Sequence, residues 1–280
     1  MKTIHRDSIY SAIKEACISI QSRYSPEMEK AIELAMNKEE GVGKSILKVL
    51  LDNSELASKQ GLPMCQDTGM VVVWVQLGVH VKIEGGFLND IINDAVKEAY
   101  DVAYLRKSVV DDPLFKRKNT NDNTPAIIHV DLIDSDQLII NLTAKGFGSE
   151  NMSALKMLTP AQGLEGAKEF IIETVANAGP NACPPLVVGV GIGGTMDQAS
   201  WLAKRSLFRE IGDRHPDEQY AQLEQELLTQ VNELGIGPQG LGGKTTALEL
   251  FIEHYPTHIA GLPVAVNINC HMTRHKQVIL

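Results

Sequence analysis

Apolar residues recur at helical spacing through the first sixty positions. Ile9, Ile13, Ala16, Cys17 and Ile20 fall on one face, which predicts a helix with that stripe inward and Cys17 as a small core residue. Ser25-Pro26 has the form of an N-cap followed by proline at the first helical position, opening a second helix over Glu27–Lys38. A third covers Lys44–Lys59, with Gly61 placed to stop it. The β-branched run from Val71 to Val75 then reads as a buried strand. Helical spacing returns over Leu88–Leu105, with Ile91, Ile92, Ala95, Val96, Ala99 and Val102 inward. Ala126–Ile133 and Gln137–Ala144 read as a hairpin around Asp134-Ser135-Asp136. Beyond it the pattern predicts a helix over Glu165–Ala178, a short strand over Leu186–Val190, and helices over Met196–Ile211, Asp217–Leu234 and Thr245–His254. A last strand covers Ile259–Ile268. The fold class is mixed α/β (α+β), with a helical N-terminal region and then mixed sheets with helices.

Length changes the picture little. With 280 residues and 44% hydrophobic content, the chain suffices for one large domain or two small ones. We expect a single domain over 1–280, with two lobes of about 1–120 and 121–280 hinged in the polar stretch Lys116–Thr124. The net charge of −9 excludes a general nucleic-acid surface, and an anionic substrate would need a local basic pocket. Met1–Ile20 has no signal-peptide core, and the apolar run Met70–Val75 is too short to span a bilayer, so no membrane is expected. Four cysteines without a secretion signal point to a reducing cytosol and a cytoplasmic protein.

Two glycine-rich stretches imitate nucleotide sites. Gly189-Val190-Gly191-Ile192-Gly193-Gly194 matches a dinucleotide fingerprint, but a second helix stands where the next strand of the unit belongs. Close helix–strand contact accounts for these glycines without a ligand. Gly237–Thr245 imitates a phosphate loop, yet Pro238 occupies the position of its first glycine and removes an N–H.

Cys65, Cys183 and Cys270 are different in kind. Each stands alone in a break between elements, and they are far apart in sequence. Three such thiols are suited to one soft metal site. Held on a four-iron cluster, they would leave one iron open for substrate, which favours Lewis-acid chemistry over electron transfer. Cys65-Gln66-Asp67-Thr68-Gly69 sets a thiol, an amide, a carboxylate and a hydroxyl within five residues. Asp67 there suits proton transfer, or equally an ordinary Asx turn. Cys270-His271-Met272-Thr273-Arg274-His275-Lys276 puts cationic groups beside another thiol, where they would lower its pKa and attract a dicarboxylate; for Lys276 a solvated tail is the plainer reading. Arg106 is a further candidate carboxylate clamp.

Six motifs occur in order: Pro63–Gly69, Lys145–Asn151, Asn181–Pro185, Gly191–Gly194, Gly235–Gly240 and Cys270-His271. With them the chain resembles the iron–sulfur (class I) fumarate hydratases and L-tartrate dehydratases, from about Met64 to the C-terminus, over the cluster-binding half that forms the α subunit of two-subunit members. The resemblance implies a 4Fe–4S cluster on Cys65, Cys183 and Cys270. It also implies dicarboxylate contacts from Gln66, Asp67, Arg106 and the backbone at Gly148, with Asp67 as proton donor or acceptor. It further implies a β subunit carrying the rest of the active site, in an α2β2-type oligomer. The expected reaction is hydration of fumarate to L-malate, a tricarboxylic acid cycle step; the alternative is dehydration of tartrate to oxaloacetate. The loop Lys145-Gly146-Phe147-Gly148-Ser149-Glu150-Asn151 is closer to the fumarase pattern, although Phe147 replaces its middle glycine. A non-catalytic metal-binding module is the rival from another class. It would need a fourth protein ligand, and Cys17 is the only spare thiol.

Overall fold

In the computed structural model, which describes residues 1–280, the chain opens with β1 (Lys2–His5), α1 (Arg6–Ser22), α2 (Pro26–Lys38) and α3 (Gly41–Gln60). There follow β2 (Met70–Gly78), β3 (Val81–Glu84), α4 (Leu88–Val102), β4 (Ile127–Ile133), β5 (Leu138–Lys145), α5 (Phe147–Glu150) and β6 (Ala154–Leu158). The remainder comprises α6 (Gly163–Ala178), β7 (Leu186–Gly193), α7 (Met196–Ser206), α8 (Glu218–Glu233), β8 (Ala247–Tyr255), β9 (Leu262–Asn269) and β10 (His275–Ile279). The mixed α/β class expected from the pattern is what forms. No helix is long and apolar enough to cross a membrane.

Two units result. The first takes Met1–Tyr24, Asn53–Gly146 and Arg274–Leu280; the second takes Ser25–Asp52 and Phe147–Thr273. Each has its own four-stranded sheet and its own core.

In the first unit the sheet order is β10-β5-β2-β4. The stripe expected on α1 is buried, with Ile9 and Ile13 fully so, and packs with Ile91, Ile92 and Val96 of α4 against Val71, Val73 and Val75 of β2. Each such side chain contributes about 1.5–3 kcal/mol by leaving water. The hairpin expected between β4 and β5 is absent. β2 lies between them, parallel to β4 and antiparallel to β5. The 134–137 connection instead crosses the end of β2, where the Gly78 N–H donates to the Gln137 carbonyl at 2.9 Å and the Val79 N–H to that of Ile133 at 2.9 Å. A Cβ at Gly78 would overlap the Ser135 carbonyl, so glycine there lets the crossing close. Local pattern fixed both strands but not which strand joined them.

Helix α4 ends at Val102, short of the expected Leu105, and Val102 is exposed rather than inward. Tyr104 adopts φ +52°, and the Leu105 N–H returns to the Tyr100 carbonyl at 3.0 Å. Two short strands, β1 and β3, pair in parallel and went unpredicted. The expected C-terminal tail is β10, an edge strand on β5, with Lys276 exposed on it.

In the second unit the sheet order is β6-β9-β7-β8. The helix expected over Thr245–His254 is strand β8, parallel to β7. Ala247, Glu249, Leu250, Phe251 and Ile252 are all buried, as on a strand covered on both faces. A short apolar run carries no period that separates these cases. The buried Glu249 carboxylate is met by the Arg214 guanidinium at 2.8 Å. Helix α7 stops at Ser206, earlier than the expected Ile211.

Because β8 runs parallel to β7 after α7 and α8, the crossover that sequence reading missed beyond Gly189–Gly194 exists after all. The glycines nevertheless serve packing. A Cβ at Gly189 would overlap the Ala203 carbonyl of α7, and one at Gly191 that of Ala199. The imitation phosphate loop is likewise structural. Its Lys244 and Thr245 N–H groups donate to the buried Glu39 carboxylate at 2.7 and 2.6 Å.

Gly191→Ala should therefore destabilise the isolated chain by about 1–3 kcal/mol or more through overpacking. Gly163→Ala, where no atom lies within 4 Å of the added carbon, should cost less despite its φ of +52°. Urea denaturation of both variants checks the order.

Candidate active site

In the first unit the loop after α3 carries Cys65, Gln66 and Asp67. Loops expose backbone groups that need partners, and here buried side chains supply them. The Met64 N–H donates to the Gln21 carbonyl at 2.8 Å. The Thr68 carbonyl accepts from Gln21 Nε2 at 2.9 Å and from the Tyr100 hydroxyl at 2.7 Å. The Gly69 carbonyl accepts from the same hydroxyl at 3.1 Å and from Asn123 Nδ2 at 3.1 Å. Burial pushes the Tyr100 phenol well above its ordinary range, so it stays a donor.

Arg274 completes this frame. Its guanidinium donates to the Asp67 carbonyl at 3.0 Å, the Ala144 carbonyl at 3.2 Å and Gln21 Oε1 at 2.9 Å. Sequence reading gave it to a cationic cluster attracting a dicarboxylate. The structure instead buries Arg274 and gives each of its guanidinium nitrogens an oxygen of α1, β5 or the loop.

On this frame the Thr68 hydroxyl donates to the Arg106 carbonyl at 2.7 Å, which joins the loop to the segment bearing Arg106. Gln66 and Arg106 are exposed and Asp67 is half-buried. The Asx turn considered for Asp67 is present, its Oδ1 accepting the Gly69 N–H at 3.0 Å with Gly69 at φ +76°. This turn orients the carboxylate and is compatible with proton transfer. A Cβ at Gly146 would stand 3.2 Å from Asp67 Oδ2, so Gly146 leaves that oxygen its room.

In the second unit four of the motifs meet. Gly148 lies on α5, a single helical turn where a loop was expected, and the nearest atom to a Cβ there would be the Asn181 carbonyl oxygen at 3.9 Å. Packing alone does not demand glycine at this exposed position. Cys183 follows Asn181-Ala182 with a left-handed backbone, φ +53°, and is exposed. Its carbonyl accepts the His271 N–H at 3.3 Å, which links the Cys183 and Cys270 loops. The Pro184 carbonyl accepts from the Gln239 backbone N–H at 2.7 Å and from its side-chain amide at 2.8 Å. Gly240 packs so closely on Pro180 that a Cβ there would overlap it. The α5 turn is held by Glu150, which pairs with Lys204 and accepts from Asn267 Nδ2 at 3.1 Å.

Thus Cys65, Gln66, Asp67 and Arg106 belong to the first unit, and Gly148, Cys183 and Cys270 to the second. None of the cysteines is in a disulfide. Within neither unit do three or more His, Cys, Asp or Glu side chains gather with metal-binding geometry. The chain passes from one unit to the other at Tyr24–Ser25, Asp52–Asn53, Gly146–Phe147 and Thr273–Arg274, the last two beside motif residues. Cys17 is buried on α1 as expected, and burial pushes its thiol up to about 12. Gln21, Tyr100, Asn123 and Gln239 were missed. Gln239 carries a faint signal as a polar residue between Pro and Gly, and Asn123 as part of the turn-rich run before Pro125, whereas Gln21 and Tyr100 look like ordinary helix residues.

A family model described as fumarate hydratase (Fumerase) matches residues 10–279. The chain belongs to this family. Membership makes it a hydro-lyase, the class to which fumarate hydratases belong. Among curated relatives, a Methanocaldococcus jannaschii protein provisionally named as an L(+)-tartrate dehydratase subunit alpha is 44% identical over 272 residues, covering 94% of this chain and 93% of its own. The L(+)-tartrate dehydratase subunit alpha of Escherichia coli K12 is 34% identical over 245 residues, covering 87% of this chain and 80% of its own. The Shigella boydii protein of the same name matches to the same extent.

Arg274→Met leaves two buried acceptors and one half-buried one without this donor and should cost about 3–5 kcal/mol in denaturant unfolding of the chain. Lys276→Met, on an exposed strand position, should stay within about 0.5 kcal/mol. In thiol labelling of the folded chain, Cys183 should react within minutes and Cys17 only after unfolding, as peptide mass mapping would show.

Proposed function

We propose that the chain is the α subunit of an iron–sulfur hydro-lyase that converts L-tartrate to oxaloacetate and water. The geometric observation that carries the reading is the Thr68–Arg106 junction, which sets Arg106 beside the loop of Gln66 and Asp67. An exposed guanidinium and amide next to an oriented carboxylate suit a hydroxy-dicarboxylate. Arg106 grips one carboxylate through paired hydrogen bonds, Gln66 orients a hydroxyl, and Asp67 takes the proton from the reacting carbon. The Gly148 backbone offers close approach to a second carboxylate. The names of the relatives favour tartrate.

Cys65, Cys183 and Cys270 fit a cluster by donor type, as three loop-borne thiols of which two sit on loops linked through Cys183 and His271. A 4Fe–4S cluster held there supplies a Lewis acid for the departing hydroxyl. Thiols kept reduced suit a cytoplasmic protein. A β subunit supplies the remaining groups, in keeping with the relatives' names, and an α2β2 assembly is the simplest symmetric form.

Hydration of fumarate to L-malate is a second reading. The family model's description and the Lys145–Asn151 loop favour it.

The test is to tag the chain in its source organism, purify it anaerobically with its bound partner, and compare kcat/KM for L-tartrate, D-tartrate, fumarate and L-malate. L-tartrate should lead fumarate by about tenfold or more, the scale on which one transition-state contact discriminates. A lead for fumarate would replace the first reading by the second. Asp67→Asn should lower kcat by about 10²–10⁴ with iron content retained. Cys65→Ser should lose iron and acid-labile sulfide.

A further inference from the structure

The excursion between α4 and β4 contains an exposed tip that neither the core nor the candidate site uses. Leu114 is 73% exposed and Phe115 84% exposed, side by side. Isolated apolar residues on a surface are ordinary, but this pair sits on a built support. The Asp112 carboxylate accepts the N–H groups of Leu114 at 3.0 Å, Phe115 at 3.1 Å and Lys116 at 2.9 Å. Arg117, at φ +46°, donates its guanidinium to the Pro113 carbonyl at 2.5 Å. Beneath the tip, Val110 and Asn119 form a β-bridge, the Asp111 N–H meets the Lys118 carbonyl at 2.8 Å, and Asn119 Nδ2 holds the Lys107 carbonyl at 2.9 Å.

A loop so braced has little conformational freedom left to lose on binding, which is how rigid anchors gain affinity. Strained backbone concentrates here as well. Tyr104, Arg117, Asn121 and Asn123 all have positive φ, and such strain clusters at binding sites. Charge supplies the complement. Lys116, Arg117 and Lys118 follow the apolar pair, all exposed, in a chain whose net charge is −9.

We infer that the Asp112–Lys118 tip is a docking knob for a separate protein chain, one with an apolar pocket for Leu114 and Phe115 rimmed by carboxylates for the three cations. The inference rests on the two-subunit reading above, and that chain is the partner subunit. A second copy of this chain fits poorly, because a two-fold contact through the knob sets three cations against the same three. Continuity with the candidate site favours a protein over a lipid surface. The segment bearing the knob begins at Arg106, exposed and proposed above to grip the substrate, and ends at Asn123, whose side-chain amide donates to the Gly69 carbonyl.

The test uses the tagged chain purified anaerobically from its source, with the stoichiometric second chain identified by mass. Two double variants are compared, Leu114→Ser with Phe115→Ser, and Lys116→Glu with Lys118→Glu. Both should lose the second chain by about tenfold or more, the scale expected for anchor residues. The melting temperature of the free chain should stay unchanged, because neither pair is packed. Retention of the second chain by both variants, with tartrate turnover intact, overturns the knob and leaves the function standing. Wild-type chain with neither a second chain nor hydro-lyase activity overturns both. Binding to phosphatidylglycerol vesicles, or a self-dimer in sedimentation, that the variants lose while keeping the second chain would assign the tip to a membrane or to self-association and overturn the inference.

Discussion

The carbonyl groups of Thr68 and Gly69 set the constraint on which the candidate site depends. Both residues are buried, and a buried carbonyl without a donor costs about 1–3 kcal/mol. Gln21 from α1, Tyr100 from α4 and Asn123 from the long excursion meet that need together. Because these donors come from distant parts of the first unit, the loop takes its shape only when the unit has folded. Arg274 extends the same frame to the Asp67 carbonyl. Exposed Gln66 and Arg106 and half-buried Asp67 thus stand on a buried polar network whose members must all be present.

The second unit solves the equivalent problem with backbone donors as well as side chains. Cys183 is held by a hydrogen bond from His271, and the proline beside it by both donors of Gln239. Glycine enters where elements must touch, as where Gly240 meets Pro180 and where Gly189 and Gly191 receive α7. The glycine-rich runs that imitate nucleotide sites are therefore the marks of close packing. The phosphate-loop imitation cradles an anion all the same, and that anion is the chain's own Glu39.

Much of the fold was legible. α1, α2, α4, α6 and α8 follow apolar spacing that one buried face imposes, and β2 follows its β-branched run. Errors fell where that signal is weak. The apolar run within Thr245–His254 is short and interrupted by Glu249, so only its pairing with β7 makes it a strand. β4 and β5 were located correctly but mispaired, because the strand that separates them lies about fifty residues earlier in sequence. The strands β1 and β10 lack the apolar alternation that marks a half-buried strand, and β3 has it over only four residues.

Sequence by itself determined the class of chemistry. Three isolated cysteines, the Gln66-Asp67 pair and the ordered rare motifs carried the family resemblance without any coordinates, because residue types and their order along the chain are covalent properties that precede folding. Tertiary structure alone decided which polar residues are buried in the frame and which are left exposed beside it. Arg274 and Arg106 are the same residue type. One is buried with each guanidinium nitrogen bonded to a carbonyl or amide oxygen, and the other is exposed on a segment fixed by Thr68. Nothing local to either arginine distinguishes them. Burial and hydrogen-bond partners are properties of the folded chain, and they separate a residue that holds a site from one that can hold a substrate.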